Sequence, residues 1–282
     1  MKLKRTFIIG EEWLYYKIYC GNRTSDTILI DVIKPLTESL LKEKIIDKWF
    51  FIRYSDPENH LRVRFHCSNI SKLGLIIEKL KEAIKFYVES DLIWNVQVDT
   101  YQREVERYGT NNIIESEELF YLDSIACVNV LSLINDDEVL FLFALKSMDN
   151  LLSIFDYNIE EKVSFTRKNK EVFRKEFRAD KELTKQLNLK YQLLKNKLKH
   201  FMSSNLDDIY SPLIDFLSSK EKTIKPVRAK MKNIDDKLLS SYIHMMINRF
   251  FRDKQRLHEL VCYDFLYRHY SAINAKNKIE SL

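Results

Sequence analysis

Apolar residues alternate with polar ones in four short stretches near the start of the chain, then recur at three- and four-residue spacing through the rest. Side chains alternate between the faces of a strand and return to one face of a helix every third or fourth residue, so the two patterns predict different elements. Alternation and aromatic enrichment predict strands at 13–20, 48–54, 60–67 and 92–101, the last with Arg103 as its outer limit. Helical spacing predicts helices at 24–47, kinked at Pro35, and at 71–90. Residues 55–59, with Asp56-Pro57 inside them, predict a five-residue hairpin loop. The order β-α-β-β-α-β is the ferredoxin-like arrangement, whose two helices cover one sheet face and leave the other open.

From Ile113 onward the spacing is helical almost throughout, with segments at 114–134, 136–156, 159–178, 181–204, 206–219, 234–252 and 254–273. The lysine-rich stretch 220–232, which holds Pro226, is the clearest loop. The prediction is an α+β protein. A ferredoxin-like βαββαβ sheet region over residues 1–110 is followed by a mostly helical region over 111–282 that packs on the open sheet face. No linker composition separates the regions, so one domain, 1–282, is expected.

Composition narrows the class. Only 4 Gly and 4 Pro in 282 residues disfavour a loop-rich all-β protein, and 45% hydrophobic residues can build a sizeable core. The 46 basic and 41 acidic residues leave a net charge of +5, with the lysine excess on predicted helix surfaces. Such charge reads as a solvated face, and no direct nucleic-acid binding is expected. The cysteines, Cys20, Cys67, Cys127 and Cys262, form no CxxC pair and sit in apolar surroundings, so no metal site is expected. Residues 1–10 are too short and too charged for a signal peptide, and no apolar run approaches a membrane span. A soluble, cytoplasmic protein is expected.

Three clusters carry candidate chemistry. In His60-Leu61-Arg62-Val63-Arg64-Phe65, strand alternation aims Arg62 and Arg64 at one face and the apolar residues at the other. Two neighbouring guanidinium groups repel each other and resist burial, and a chain tolerates that where an anion is held by their paired donors. The alternative is a solvated pair on an edge strand, which the apolar neighbours argue against. The second cluster runs from Asp99 to Gly109 and includes Tyr101, Glu104 and Arg107. It reads either as a site or as a salt-bridged strand-to-helix junction. The third, 241–250, places His244 in an apolar helix with Asn248 and Arg249 one turn on. A hydrogen-bonded core histidine is the competing reading there. His200, His258 and His269 lie among charged residues and read as surface or capping groups. No dinucleotide, Walker, zinc-protease or serine-hydrolase motif is present.

At these clusters the chain resembles the C-terminal, glutamate-eliminating domain of lantibiotic dehydratases, also called the thiopeptide-type bacteriocin biosynthesis domain. The resemblance covers nearly the whole chain, in order. It rests on 13–19, Trp49-Phe-Phe-Ile-Arg-Tyr-Ser-Asp-Pro57, His60–Phe65, Asp99–Gly109, 116–124, His244-Met-Met-Ile-Asn-Arg249 and Arg268–Ser271. It implies that glutamate is eliminated from glutamylated Ser or Thr of a ribosomally made precursor peptide, leaving dehydroalanine or dehydrobutyrine. It also implies a separate glutamyl-tRNA-dependent glutamylation partner, since the chain resembles only the eliminating part, as in a stand-alone member of a split dehydratase. The family's eliminating residues carry over onto Arg62, Arg64, Glu104, Arg107 and His244. Arg62, Arg64, Arg107, Tyr101 and Arg249 are the expected substrate-binding residues. Thr110 departs from the family, which more often has a second glycine there.

In this resemblance Arg62 and Arg64 bind the glutamyl group, His244 takes the α-proton, Arg107 holds substrate or enolate, and Glu104 orients Arg107 or relays the proton. No cofactor is expected, and self-association, if any, is expected as a homodimer. The first alternative is a pyridine-synthase-type [4+2] cyclase of the same fold, which joins two dehydroalanines. The second is a non-catalytic peptide-binding module.

Overall fold

The period-two stretches become strands almost residue for residue. The structure, a computed structural model, describes residues 3–203 and 211–280. These fall into two compact units: residues 1–133 with 230–234 and 248–253, and residues 134–229 with 235–247 and 254–282.

In the first unit β1 (Thr6–Phe7) is followed by β2 (Trp13–Cys20), α1 (Asn22–Ile28), one widened turn at Leu29–Ile33, and α2 (Lys34–Lys42). Next come β3 (Lys48–Tyr54), β4 (His60–His66), α3 (Leu73–Glu89), β5 (Ile93–Asp99), β6 (Tyr101–Gln102), α4 (Val105–Tyr108) and α5 (Ile113–Leu133). The main sheet has the order β3-β4-β2-β5 and is antiparallel throughout, the expected ferredoxin-like topology. The helix expected over 24–47 begins at Asn22 and ends at Lys42. Its wide turn lies just ahead of Pro35, where the missing N–H and the ring prevent a regular α-helical bond. The last expected strand is split. β5 stops at Asp99, and Tyr101–Gln102 pairs instead with Thr6–Phe7 in a separate two-stranded sheet.

Register fixes the two faces. Leu61, Val63 and Phe65 stand beside Arg53, Phe51 and Trp49 on β3, and beside Ile18, Tyr16 and Leu14 on β2. Apart from Arg53 these side chains are buried apolar groups, each worth about 1.5–3 kcal/mol when a large one is fully covered. Arg53 shows what covers them: it donates to Ser25 Oγ at 2.6 Å and Asp26 Oδ1 at 2.5 Å on α1. The opposite face carries His60, Arg62, Arg64 and His66, as the alternation predicts. Within the unit, α5 meets that face at Phe50, whose ring centroid lies 5.5 Å from that of Phe120.

The outer edge of β3 is closed by side chains. Phe51 N–H donates to Ser124 Oγ (3.1 Å) and Arg53 N–H to Asn248 Oδ1 (2.9 Å). Asn248 Nδ2 donates to Arg53 O (2.9 Å) and Arg249 Nε to Phe51 O (2.9 Å).

The second unit is helical: α6 (Asp137–Ile154), α7 (Ile159–Glu176), α8 (Lys181–Met202), α9 (Ser211–Lys230), α10 (Asp236–Phe250, of which 248–250 belong to the first unit) and α11 (Gln255–Glu280). α11 packs on α7, α6 and α8. Asn158 caps α7 by accepting from Glu160 N–H and Glu161 N–H, while Glu161 accepts from Asn158 N–H. The loop expected at 220–232 is mostly helix, since α9 runs to Lys230. Leu213, Leu217, Ile224 and Val227 are buried at helical spacing and hold the turn around Pro226, which removes one backbone bond. The first residues of the helix expected at 206–219 lie outside the described residues. No described helix is long and apolar enough to cross a membrane.

Candidate functional site: a caged arginine and a histidine–carboxylate pair

Register brings aromatic side chains against Arg64. Tyr15 of β2 and Phe50 of β3 are its cross-strand partners on the open face, and Tyr101 of β6 closes the third side. Cζ of Arg64 lies 4.2 Å from the Tyr15 centroid, 5.1 Å from Phe50 and 5.0 Å from Tyr101. The residue is only 8% exposed, and among the described residues its Nε and Nη1 have no hydrogen-bond partner. Burial lowers its pKa, while Tyr15, Tyr101 and Glu104 oppose that shift. Guanidinium nevertheless stays charged in proteins. Ring faces attract a cation but do not accept its hydrogen bonds. A buried cation with idle donors is costly, and an anion relieves that cost.

Arg62, half-buried on the same face, stacks on Tyr54 with Cζ 3.4 Å from the ring centroid. Its Nε donates to His60 Nε2 at 3.1 Å, and His60 Nδ1 lies 2.7 Å from Glu58 O. Both bonds form when Nδ1 carries the proton, so His60 serves as a neutral acceptor; burial, first, and Arg62 depress its pKa. Lys17, the cross-strand neighbour of Arg62 on β2, is paired with Asp99 at 2.5 Å. That pairing raises the Lys17 pKa and lowers that of Asp99. Neither Arg62 nor Arg64 forms an ion pair among the described residues, and both therefore lend the face positive charge.

A buried carboxylate sets the third wall of the cage. Tyr101 donates its hydroxyl to Glu117 Oε1 at 2.9 Å. Arg103 meets the same carboxylate with two bonds of 2.7 Å, Nε to Oε1 and Nη2 to Oε2. This forked pair satisfies Glu117 inside the protein and anchors Tyr101. Sequence reading singled out neither Arg103 nor Glu117. The available signal was an acid at Glu117 among the buried positions of α5.

Glu104 caps the start of the single turn α4 and Arg107 lies within it, their charged groups 3.5 Å apart. Glu104 is exposed, Arg107 half-buried, and the Glu104 charge acts on Arg64. Gly109 ends the turn at φ +76°, a conformation that suits glycine. Thr110 does not have positive φ, so the departure there adds no backbone strain. Arg249, expected to bind substrate, is 1% exposed, with its Nε committed to the β3 edge and its guanidinium 3.5 Å from Asp123. The structure gives it a part in closing the sheet.

In the second unit His244 Nδ1 donates to Glu259 Oε1 at 2.6 Å. Glu259 is 1% exposed, on α11. Arg256 Nη1 approaches the same oxygen at 3.5 Å, but its closer bonds go to Glu176, at 3.1 and 2.5 Å. Sequence reading missed Glu259. Its signal was an acid inside the apolar run 257–266. The described residues gather no group of three or more metal-type ligands, and all four cysteines are free and buried. The first unit thus holds Arg62, Arg64, Tyr101, Glu104, Arg107 and Arg249, and the second holds His244.

Fold and site together define an α+β protein whose ferredoxin-like sheet bears an arginine-lined open face. The family described as lantibiotic biosynthesis dehydratase, C-terminal part, matches residues 13–270, and the chain belongs to it. It is 26% identical over 179 residues to the subtilin biosynthesis protein SpaB of Bacillus subtilis, covering 61% of this chain and 17% of that protein. It is 34% identical over 127 residues to the nisin biosynthesis protein NisB of Lactococcus lactis subsp. lactis, covering 44% of this chain and 12% of that one. The chain thus spans only a small part of these relatives. Among solved structures, the tRNA-dependent lantibiotic dehydratase MibB from Microbispora sp. 107891 superposes with a TM-score of 0.70 at 20% identity, covering 93% of this chain and 28% of that one. The pyridine synthase TbtD of thiomuracin biosynthesis superposes with a TM-score of 0.67 at 10% identity, covering 93% and 98%. At these identities the likeness is one of fold.

Proposed function

We propose that the chain is the eliminating component of a lantibiotic or thiopeptide dehydratase: it removes glutamate from glutamylated Ser or Thr of a ribosomally made peptide. The observation that carries this reading is Arg64, a buried cation whose Nε and Nη1 are unpartnered among the described residues. In the proposed reaction His244 Nε2 takes the α-proton of the esterified residue. The released electron pair forms the Cα–Cβ double bond, the Cβ–O bond breaks, and glutamate departs as its carboxylate. Arg62 and Arg64 hold the glutamyl group, and the guanidinium charge offsets the carboxylate and enolate-like charge that develop. Arg107 steadies substrate, Glu104 orients Arg107, and Tyr101 keeps Arg64 in place. No cofactor is required by this chemistry. The glutamylated peptide comes from a glutamyl-tRNA-dependent partner, which places the reaction in the cytoplasm.

A synthetic peptide bearing a glutamyl ester on one serine tests this by mass spectrometry. The chain converts it to the dehydroalanine product, and His244→Ala or Arg62→Ala slows that conversion by about 10²-fold or more. Conversion by either variant at the wild-type rate rejects the assignment. The near-complete coverage of TbtD favours cyclisation as the second reading. A cyclase leaves the ester untouched and acts on a peptide already carrying two dehydroalanines. Binding of the ester peptide with no mass change in either peptide supports a non-catalytic module.

A further inference from the structure

We propose that Glu259 is the positioning residue of His244, holding its proton on Nδ1 so that Nε2 presents the lone pair. The inference rests on the reading of His244 as the base, and extends it to a residue that touches no substrate. Its footing is geometric. Glu259 Oε1 accepts from His244 Nδ1 at 2.6 Å, and the carboxylate is buried.

The groups facing this pair make a purely structural ion pair a poor account. From its own helix, Glu259 faces Arg256 at 3.5 Å, and burial first, then the Glu259 charge, raises the pKa of Cys262 and Tyr263 there. From α7, Glu176 takes both of the closer bonds of Arg256. From α10 comes His244. A buried carboxylate requires donors, and its shortest contact is with an imidazole rather than a permanent cation. An ionised carboxylate can only accept, so the bond fixes the neutral imidazole as the Nδ1–H tautomer. When Nε2 takes a proton from substrate, the imidazolium forms beside a negative charge already in place. Orientation, tautomer and charge stabilisation then come from one contact, as in other histidine–carboxylate pairs.

Nitrogen-15 NMR of the intact chain reads the tautomer directly. In the wild type the neutral His244 ring shows a protonated Nδ1 and a bare Nε2. A predominantly Nε2-protonated ring overturns the inference without any mutation. In Glu259→Gln the amide donates or accepts, so the tautomers mix. Turnover of the glutamyl-ester peptide falls by about 10²-fold or more at saturating peptide, with KM little changed. Glu259→Asp recovers part of the lost turnover and the Nδ1–H signal. An unchanged ring spectrum and unchanged turnover in folded Glu259→Gln reject the role. The two proposals fail separately. Full turnover by His244→Ala removes the base assignment, whereas the wild-type and Glu259→Gln spectra judge the positioning contact alone.

Discussion

Arg64 places a positive charge among three aromatic rings, and two of its nitrogens have no hydrogen-bond partner among the described residues. Each ring contributes about 0.5–2 kcal/mol of cation–π attraction, against a desolvation penalty of several kcal/mol. The balance for folding alone favours an apolar side chain of similar length. Arg64→Met should therefore leave stability unchanged or raise it by about 1–4 kcal/mol, with thioether–aromatic contacts replacing the cation. It should also lower turnover of the glutamyl-ester peptide by about 10²–10³-fold. Urea unfolding and a rate measurement on one preparation check both halves. A loss of about 3 kcal/mol in stability would make Arg64 a structural residue instead. That an arginine pair faces away from the helices was legible in the sequence, because alternation alone aims it. The cage was not, because Tyr15 and Phe50 reach Arg64 through strand register and Tyr101 arrives on a second sheet.

β3 shows how an element can be read correctly while its support stays hidden. Its seven residues were plain from the aromatic run, but nothing local revealed that its outer edge would be closed by side chains from Ser124, Asn248 and Arg249. The contacts of Asn248 and Arg249 span nearly two hundred residues, and no periodicity encodes them. Asn248 lies one turn from His244 in sequence, the spacing of a site neighbour; its amide instead serves both backbone groups of Arg53. Asn248→Ala strips those two bonds, and each buried group left unmet costs about 1–3 kcal/mol. The variant should lose stability on that order, and the Arg53 amide should exchange with deuterium faster than the inner amides of β4. Unaltered exchange at Arg53 would mean that water replaces the asparagine without cost. The second half of α9, residues 220–230, was expected as loop for the converse reason. Its buried positions keep helical spacing, but the lysines between them and Pro226 masked it.

At the scale of the whole molecule, the sequence pointed to one domain, 1–282, with a change of subregion near residue 110, where the alternating pattern stops. The first unit runs to residue 133 and takes back 230–234 and 248–253, because α5 packs on β3 although its spacing looks like that of every later helix. Periodicity assigns an element its type, and packing assigns it a unit. One property is distributed over both units. His60 and His66 in the first and His269 in the second each have a depressed pKa, with burial as the largest cause. His269 was expected at the surface, yet it is half-buried. A histidine held neutral in the folded chain and free to protonate when unfolded makes the unfolded state bind more protons, so stability rises with pH across that window. The contribution is complete above the ordinary histidine value of about 6.5 and is lost as pH falls through the lower folded values. The urea midpoint should therefore decline between pH 7.5 and 5, above the range where carboxylates titrate. Replacing His60, His66 and His269 together with glutamine should flatten that decline even if it lowers the midpoint throughout. A slope that survives the triple substitution would assign the pH dependence to other groups.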